Sequence, residues 1–443
     1  MRRLIPFATA LALVSGVLVP AASAAGPPDR ELTVRVTIDE RRVVPVGIDH
    51  AADWGDVLLE SGRAVSAGLG QGTYVRRGIA IGDRRLGTQD TIQVTFPEGS
   101  LVFQAVSFWS GPADAALLGG TGQFLGARGS ALVSGEGARQ EWRITLLGDT
   151  GVTLASPTVT EYERELTSTR RIELAEPGST VGNMTQTTGR LLVDDSAGIA
   201  DYTATSTVVQ DLPGDRERRA VQAMFEFGGG TLFVNGMIVA PASALPTAPA
   251  RYAVSGGTGV HAGAAGMAEY LPGEGGVAPR WRFTIHRLEP GAQPLLPTIT
   301  DRQVQTRYTR VLASQTAAGA AGDLVLAGGW TRETDRGRPA GAARRADESQ
   351  LRGQWAVSAQ VLSVVRQNRG IVRQNLLSLV QYSWGADSVL VLGVTRTARD
   401  GGPAATTERA VIGGLGAYVG VSGSVSMDPR RPGYWHTTYD LVR

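Results

Sequence analysis

The chain has no cysteine and no lysine in 443 residues. Without cysteine there is no disulfide staple, no thiol nucleophile and no thiolate metal ligand, so packing alone must hold the fold. Without lysine, Schiff-base catalysis and Walker-type phosphate binding are excluded, and all 43 basic residues are arginine. Histidine is scarce as well: His50, His261, His286 and His436 are the full set, and none stands in a metal-ligand spacing. No G-x-S-x-G elbow opens a helical pattern, which leaves Ser-His-Asp hydrolysis without support. Neither a metal nor an organic cofactor is expected.

Long apolar runs are also missing, with one exception at the start. Arg2 and Arg3 precede the apolar stretch Leu4 to Val19, and Ala22-Ser23-Ala24 forms an A-x-A site. This order reads as a signal peptide over residues 1–24, cleaved near Ala25, and the protein is expected to be secreted. No later stretch reaches the roughly 20 residues of a spanning helix, so no transmembrane segment is expected after cleavage. The first 24 residues hold two arginines and no acid, so the formal net charge falls from +2 to zero without them. A neutral chain is a poor phosphate-backbone binder, and nucleic acid is not an expected partner. The Arg- and Ala-rich, Lys-free composition suggests a bacterial source. An oligomeric state cannot be read from it.

Glycine is abundant, at 58 residues, and its placement is periodic. Gly119–Gly129 (GGTGQFLGARG), Gly256–Gly266 (GGTGVHAGAAG) and Gly413–Gly423 (GGLGAYVGVSG) align without gaps. Each follows an apolar run beginning at Ser100, Thr231 or Ser388, and each precedes a Trp-led run at Trp142, Trp281 or Trp435. Earlier in each unit a Gly-Asp or Gly-Asn pair stands at a fixed offset from a glycine: Gly55-Asp56 with Gly62, Gly182-Asn183 with Gly189, Gly322-Asp323 with Gly329. Four landmarks in one order indicate three whole domains, at 28–150, 157–290 and 297–443. The third carries an extra mixed-charge segment, 332–352, that reads as a mobile loop.

Within each unit, short Val/Ile/Leu/Phe/Tyr/Thr runs alternate with Gly, Pro, Asn and Asp, and helical periodicity is absent. The expected fold class is all-β, as three tandem antiparallel β-barrels of about eight strands each. That strand number gives an interior that is either filled by side chains or just wide enough for one small ligand. A phosphate-cradling loop should open a helix, whereas these glycine motifs run on into strand, so they read as scaffold.

The first motif resembles the Gly-Gly-Thr-Gly-x-Phe-x-x-Ala-Arg-Gly strand of dirigent proteins, and the second is similar to bacterial allene oxide cyclase-like barrels. Gln71-Gly72-Thr73-Tyr74-Val75 and Glu98-Gly99-Ser100-Leu101 resemble further dirigent segments in the same order. The resemblance implies a barrel whose mouth holds a small, largely apolar molecule and steers its cyclisation or stereoselective coupling without a cofactor. It also implies roles for an acid, an arginine and a tyrosine, and only the first copy combines all three: Asp56, Arg128 and Tyr74. These are the candidate catalytic residues, expected to converge on one cavity in the first barrel. Phe124, Tyr202 and Trp355 are the candidate ligand-binding residues, the last two as approximate counterparts of Tyr74. The bland alternative makes Asp56 a turn residue and Arg128 an ordinary ion-pair partner. At the level of the whole chain, the competing reading is a non-catalytic extracellular interaction module, since tandem copies favour avidity.

Overall fold

The computed structural model describes residues 30–45, 55–81, 88–107, 114–135, 137–147, 156–174, 179–193, 197–242, 244–273, 277–287, 299–311, 323–333, 351–367, 370–384, 387–397, 405–431 and 434–442. The signal segment, His50 and residues 334–350 of the third unit's extra segment lie outside them. So do the expected domain junctions near residues 150 and 295.

Among the described residues, twenty-four strands form three closed antiparallel barrels of eight. The first comprises β1 (Arg30–Val44), β2 (Val57–Ser66), β3 (Gly70–Ala80), β4 (Thr88–Phe96), β5 (Gly99–Ser107), β6 (Asp114–Gly120), β7 (Gly129–Ser134) and β8 (Arg139–Leu146). The second runs through β9 (Thr158–Ile172), β10 (Met184–Val193), β11 (Ala197–Leu212), β12 (Arg216–Phe227), β13 (Gly230–Pro241), β14 (Ala250–Gly257), β15 (Ala265–Leu271) and β16 (Arg280–His286). The third has β17 (Ile299–Val311), β18 (Leu324–Glu333), β19 (Leu351–Gln367), β20 (Gly370–Trp384), β21 (Asp387–Thr397), β22 (Thr407–Leu415), β23 (Ser422–Arg431) and β24 (Tyr434–Val442). Pairing of the first strand with the eighth closes each barrel. Helix among the described residues is limited to single 3-10 turns such as Gly122–Phe124.

Period-two patterning explains the strands. In β1, Leu32, Val34, Val36 and Ile38 are buried while the residues between them are more exposed, which is the signature of a strand with one face in a core. The landmark glycines have a physical cause as well. The β1–β2 register shifts between Ile38 and Glu40, and the resulting bulge drives the Thr37 carbonyl onto Gly62, where any Cβ would collide. The Glu165 carbonyl does the same at Gly189. On the other side of each glycine, an aromatic ring is its strand partner: Tyr74 opposite Gly62, Tyr202 opposite Gly189, Trp355 opposite Gly329. The three aromatic residues are therefore true counterparts.

The Gly-Asp/Asn pair is a strand-end corner. Ala80, Val208 and Val361 each donate a backbone N–H to the carbonyl of Asp56, Asn183 and Asp323, at 2.8–2.9 Å. The Trp landmark needs a correction. Trp142 and Trp281 each lie four residues before the partner of the motif's last glycine, but that position in the third barrel is Thr437. Trp435 stands two residues earlier, on the same face and one layer along, beside a register shift between Pro429 and Arg431.

The three barrels pack around their sixth strands, β6, β14 and β22, in cyclic order. A Cβ placed on Gly119 would meet the Val254 carbonyl at 3.2 Å; on Gly256, the Val411 carbonyl at 3.3 Å; on Gly413, the Ala116 Cβ at 3.4 Å. Each copy thus sets its motif glycine against the next copy's equivalent strand, and the third returns to the first. A pseudo-threefold seam results, closed by Leu118, Phe233, Leu390, Leu392 and Ile412. This is the geometry of a cyclic trimer written into one chain.

The glycine motif also buries a histidine. His261 sits in the 3-10 turn Gly259–His261, 4% exposed, with its ring 5.2 Å from Phe227. Burial, with a smaller contribution from the Arg287 charge, lowers its pKa from 6.5 to about 4. The unfolded imidazole takes up its proton near 6.5 and the folded one only near 4, so in that window the unfolded state binds more protons. Stability is expected to fall as pH is lowered through it. His261→Phe, which installs the residue of the first copy (Phe124), should flatten the melting temperature between pH 6.5 and 4; an unchanged slope would show that His261 is not its source.

Candidate functional site

The inward positions differ sharply between copies. In the first barrel, three neighbouring inward positions carry Glu60, Arg76 and Asp90, which form a buried ion cluster. Arg76 donates from Nη1 to Glu60 at 3.3 Å and from Nη2 to Asp90 and Thr88 at 2.9 Å each. Arg41 reaches Glu60 at 2.7 Å from the rim, and the Tyr74 hydroxyl donates to Glu60 at 3.1 Å. Burial, reinforced by the Glu60 charge, pushes the Tyr74 phenol well above its ordinary pKa, so it stays protonated and serves as a donor. Beneath this cluster Trp142 packs edge-on against both Tyr74 and Phe103. Among the described residues, these side chains occupy this part of the first barrel's interior.

Strand register puts Thr187, Ala204 and Val221 at the corresponding positions of the second barrel. Three large charged side chains give way to three small ones, and a cavity of about 270 Å³ opens there. That volume lies just under the usual range of about 300–1,000 Å³ for small-molecule pockets. Tyr202, Tyr252, Tyr270 and Trp281 line it with aromatic surface, while Val221 and Ile238 add aliphatic surface. The third barrel has Ala327, Val357 and Ser378 at these positions and keeps a cavity of only about 40 Å³, lined also by Arg409, Met427 and Trp435.

Polar side chains also line the larger cavity, two arginines among them. Arg164 is 8% exposed, and its Nε donates to the Tyr202 hydroxyl. Its guanidinium carbon stands 5.4 Å from the Tyr202 ring centre and 5.5 Å from that of Tyr270, a cation–π arrangement. Register places Val36 at this position in the first barrel and Gln303 in the third, so the cation is peculiar to the second. The Trp281 Nε1 is buried without a hydrogen-bond partner, although Trp142 Nε1 in the first barrel donates to Gln140 at 3.1 Å. Burial raises the pKa of Tyr202 and Tyr252, which keeps both as neutral donors.

A strap crosses the mouth. Arg219, paired with Glu217 at 2.6 Å, donates to the carbonyls of Ala244 at 2.6 Å and Pro241 at 2.8 Å. These bonds hold the β13–β14 connection so that Ala244, Leu245 and Pro246 join the cavity wall.

Of the six residues expected from sequence, Tyr202 and Trp355 line cavities. Phe124 does not; it is 3% exposed in the packed core of the first barrel. Asp56, Tyr74 and Arg128 do not share a cavity. Tyr74 is committed to Glu60, and Asp56 holds the strand-end corner. The Arg128 Nη1 donates to the Leu118 carbonyl at 2.9 Å, and Nη2 crosses the seam to the Ala264 carbonyl at 3.2 Å. Burial lowers its pKa to about 10. The reason is the glycine run: Gly126 takes φ +75° between Phe124 and Arg128, uncoupling the two directions, so one enters the barrel and the other the seam. Arg164, Tyr252 and Tyr270 are not singled out in the sequence, and Trp281 stands there only as a landmark of the repeat. The signal that could have found them is the contrast of inward positions between copies.

No family model and no curated protein matches this chain. Among solved structures, a pyocyanin demethylase is similar over 29% of this chain and 99% of its own length, with 18% identity and a TM-score of 0.25.

Proposed function

We propose that this chain is a secreted binding barrel that confines a small, largely apolar molecule in its second barrel. The observation that carries the reading is the aromatic-walled cavity of about 270 Å³, present where the equivalent space in the first barrel is occupied by ions. Confinement of this kind orients a flexible or reactive ligand without a strong acid or base. Steering of a cyclisation or coupling, as the resemblance to allene oxide cyclases and dirigents implies, fits such a site. The buried ion cluster of the first barrel favours a structural role for that copy, in line with the interaction-module reading.

The test is calorimetric titration with 2-naphthol, a small flat neutral probe. One molecule per chain is expected to bind, and Ala204→Phe, which places a ring in the cavity, should abolish binding while the far-UV spectrum stays unchanged. Equal binding to the variant, or three molecules per chain, would sink the reading.

A further inference from the structure

The charge balance of the second-barrel cavity is incomplete. Arg219 is neutralised by Glu217, but Arg164 has no carboxylate partner among the described residues. Its Nε is used by Tyr202, and among the described residues neither Nη group has a protein acceptor. A guanidinium held in an aromatic pocket without a counter-charge is costly, and an anion that reaches it offsets that cost. Trp281 contributes aromatic surface to the same wall. Tyr270 links the two, with its ring 5.5 Å from the Arg164 guanidinium and 5.6 Å from the Trp281 ring.

We infer that the occupant of this cavity is a small aromatic carboxylate, its flat ring among Tyr202, Tyr252 and Trp281 and its carboxylate on the free Nη edge of Arg164. This rests on the proposal that the cavity is a binding site, and adds the class of ligand. A carboxylate matches the planar fork of a guanidinium with two parallel hydrogen bonds, which a neutral amide or alcohol cannot do. The aromatic walls supply flat apolar surface on which a ring packs offset or edge-on.

The test compares 2-naphthoate with its neutral isostere 2-naphthamide, titrated calorimetrically into the full-length protein. The wild type should bind naphthoate at least about tenfold more tightly than the amide. Arg164→Met should erase that preference, and Arg164→Lys should restore part of it. If wild type binds both probes equally, or Arg164→Met leaves the preference intact, the anion assignment is overturned while the cavity reading stands. If neither probe binds, the cavity reading falls and the assignment with it.

Discussion

Replacing Glu60 by leucine is expected to lower the unfolding free energy by about 3–5 kcal/mol, the usual loss when one member of a buried ion cluster is removed. Glu60 is 1% exposed and accepts from Arg41, Arg76 and Tyr74. Without it, Arg41 can turn to solvent, since its side chain is already half exposed. Arg76 cannot; it keeps only Asp90 and Thr88, and the Tyr74 hydroxyl loses its acceptor inside a packed core. The combined variant Glu60→Thr, Arg76→Ala, Asp90→Val copies the second barrel's residues and removes the three charges together. It should cost less than Glu60→Leu alone, despite changing three residues. Urea unfolding of both variants checks this order. A single substitution within about 1 kcal/mol of wild type would place the cluster among the weak, solvated ion pairs.

The second large effect is expected at the pseudo-threefold seam. Gly413 faces Ala116 and Leu118 of the first barrel so closely that an added Cβ would already touch both, at 3.4 and 3.5 Å. Alanine is therefore accommodated there with little movement. Leucine is not, because its further carbons must enter a seam that is fully closed, and overpacking of this kind costs about 1–3 kcal/mol. Gly119→Leu should reproduce the loss, since it makes the equivalent contact against Val254 of the second barrel. Melting temperatures for the alanine and leucine variants at both positions provide the measurement. Equal melting temperatures for alanine and leucine would mean that the barrels are not held together through these strands.

The repeats made the architecture legible in the sequence. A motif that recurs in register with its flanking strands reports a domain boundary even when each strand is too short to identify by itself. The fixed-offset glycines were visible too, but not their cause, because the bulge that presses Thr37 onto Gly62 depends on a partner strand more than twenty residues away. The cavity of the second barrel is hidden in the sequence for a related reason. Resemblance weighted the first motif, whose Arg128 looked chemical, whereas positive φ at Gly126 sends that side chain into the seam. What creates a cavity is the absence of bulk at inward positions, and Thr187, Ala204 and Val221 carry no motif. Only alignment of the inward faces of all three copies exposes the exchange of Glu60, Arg76 and Asp90 for small residues. Trp435 shows the limit of such alignment from sequence, since a two-residue offset preserves the face and hides the change of layer.

A crystal structure of the full-length protein with 2-naphthoate decides whether ligand binding belongs to the second barrel. Density is expected for one probe among Tyr202, Tyr252 and Trp281, with its carboxylate against Arg164. Density inside the first barrel, or on the outer surface with the second barrel empty, would contradict it.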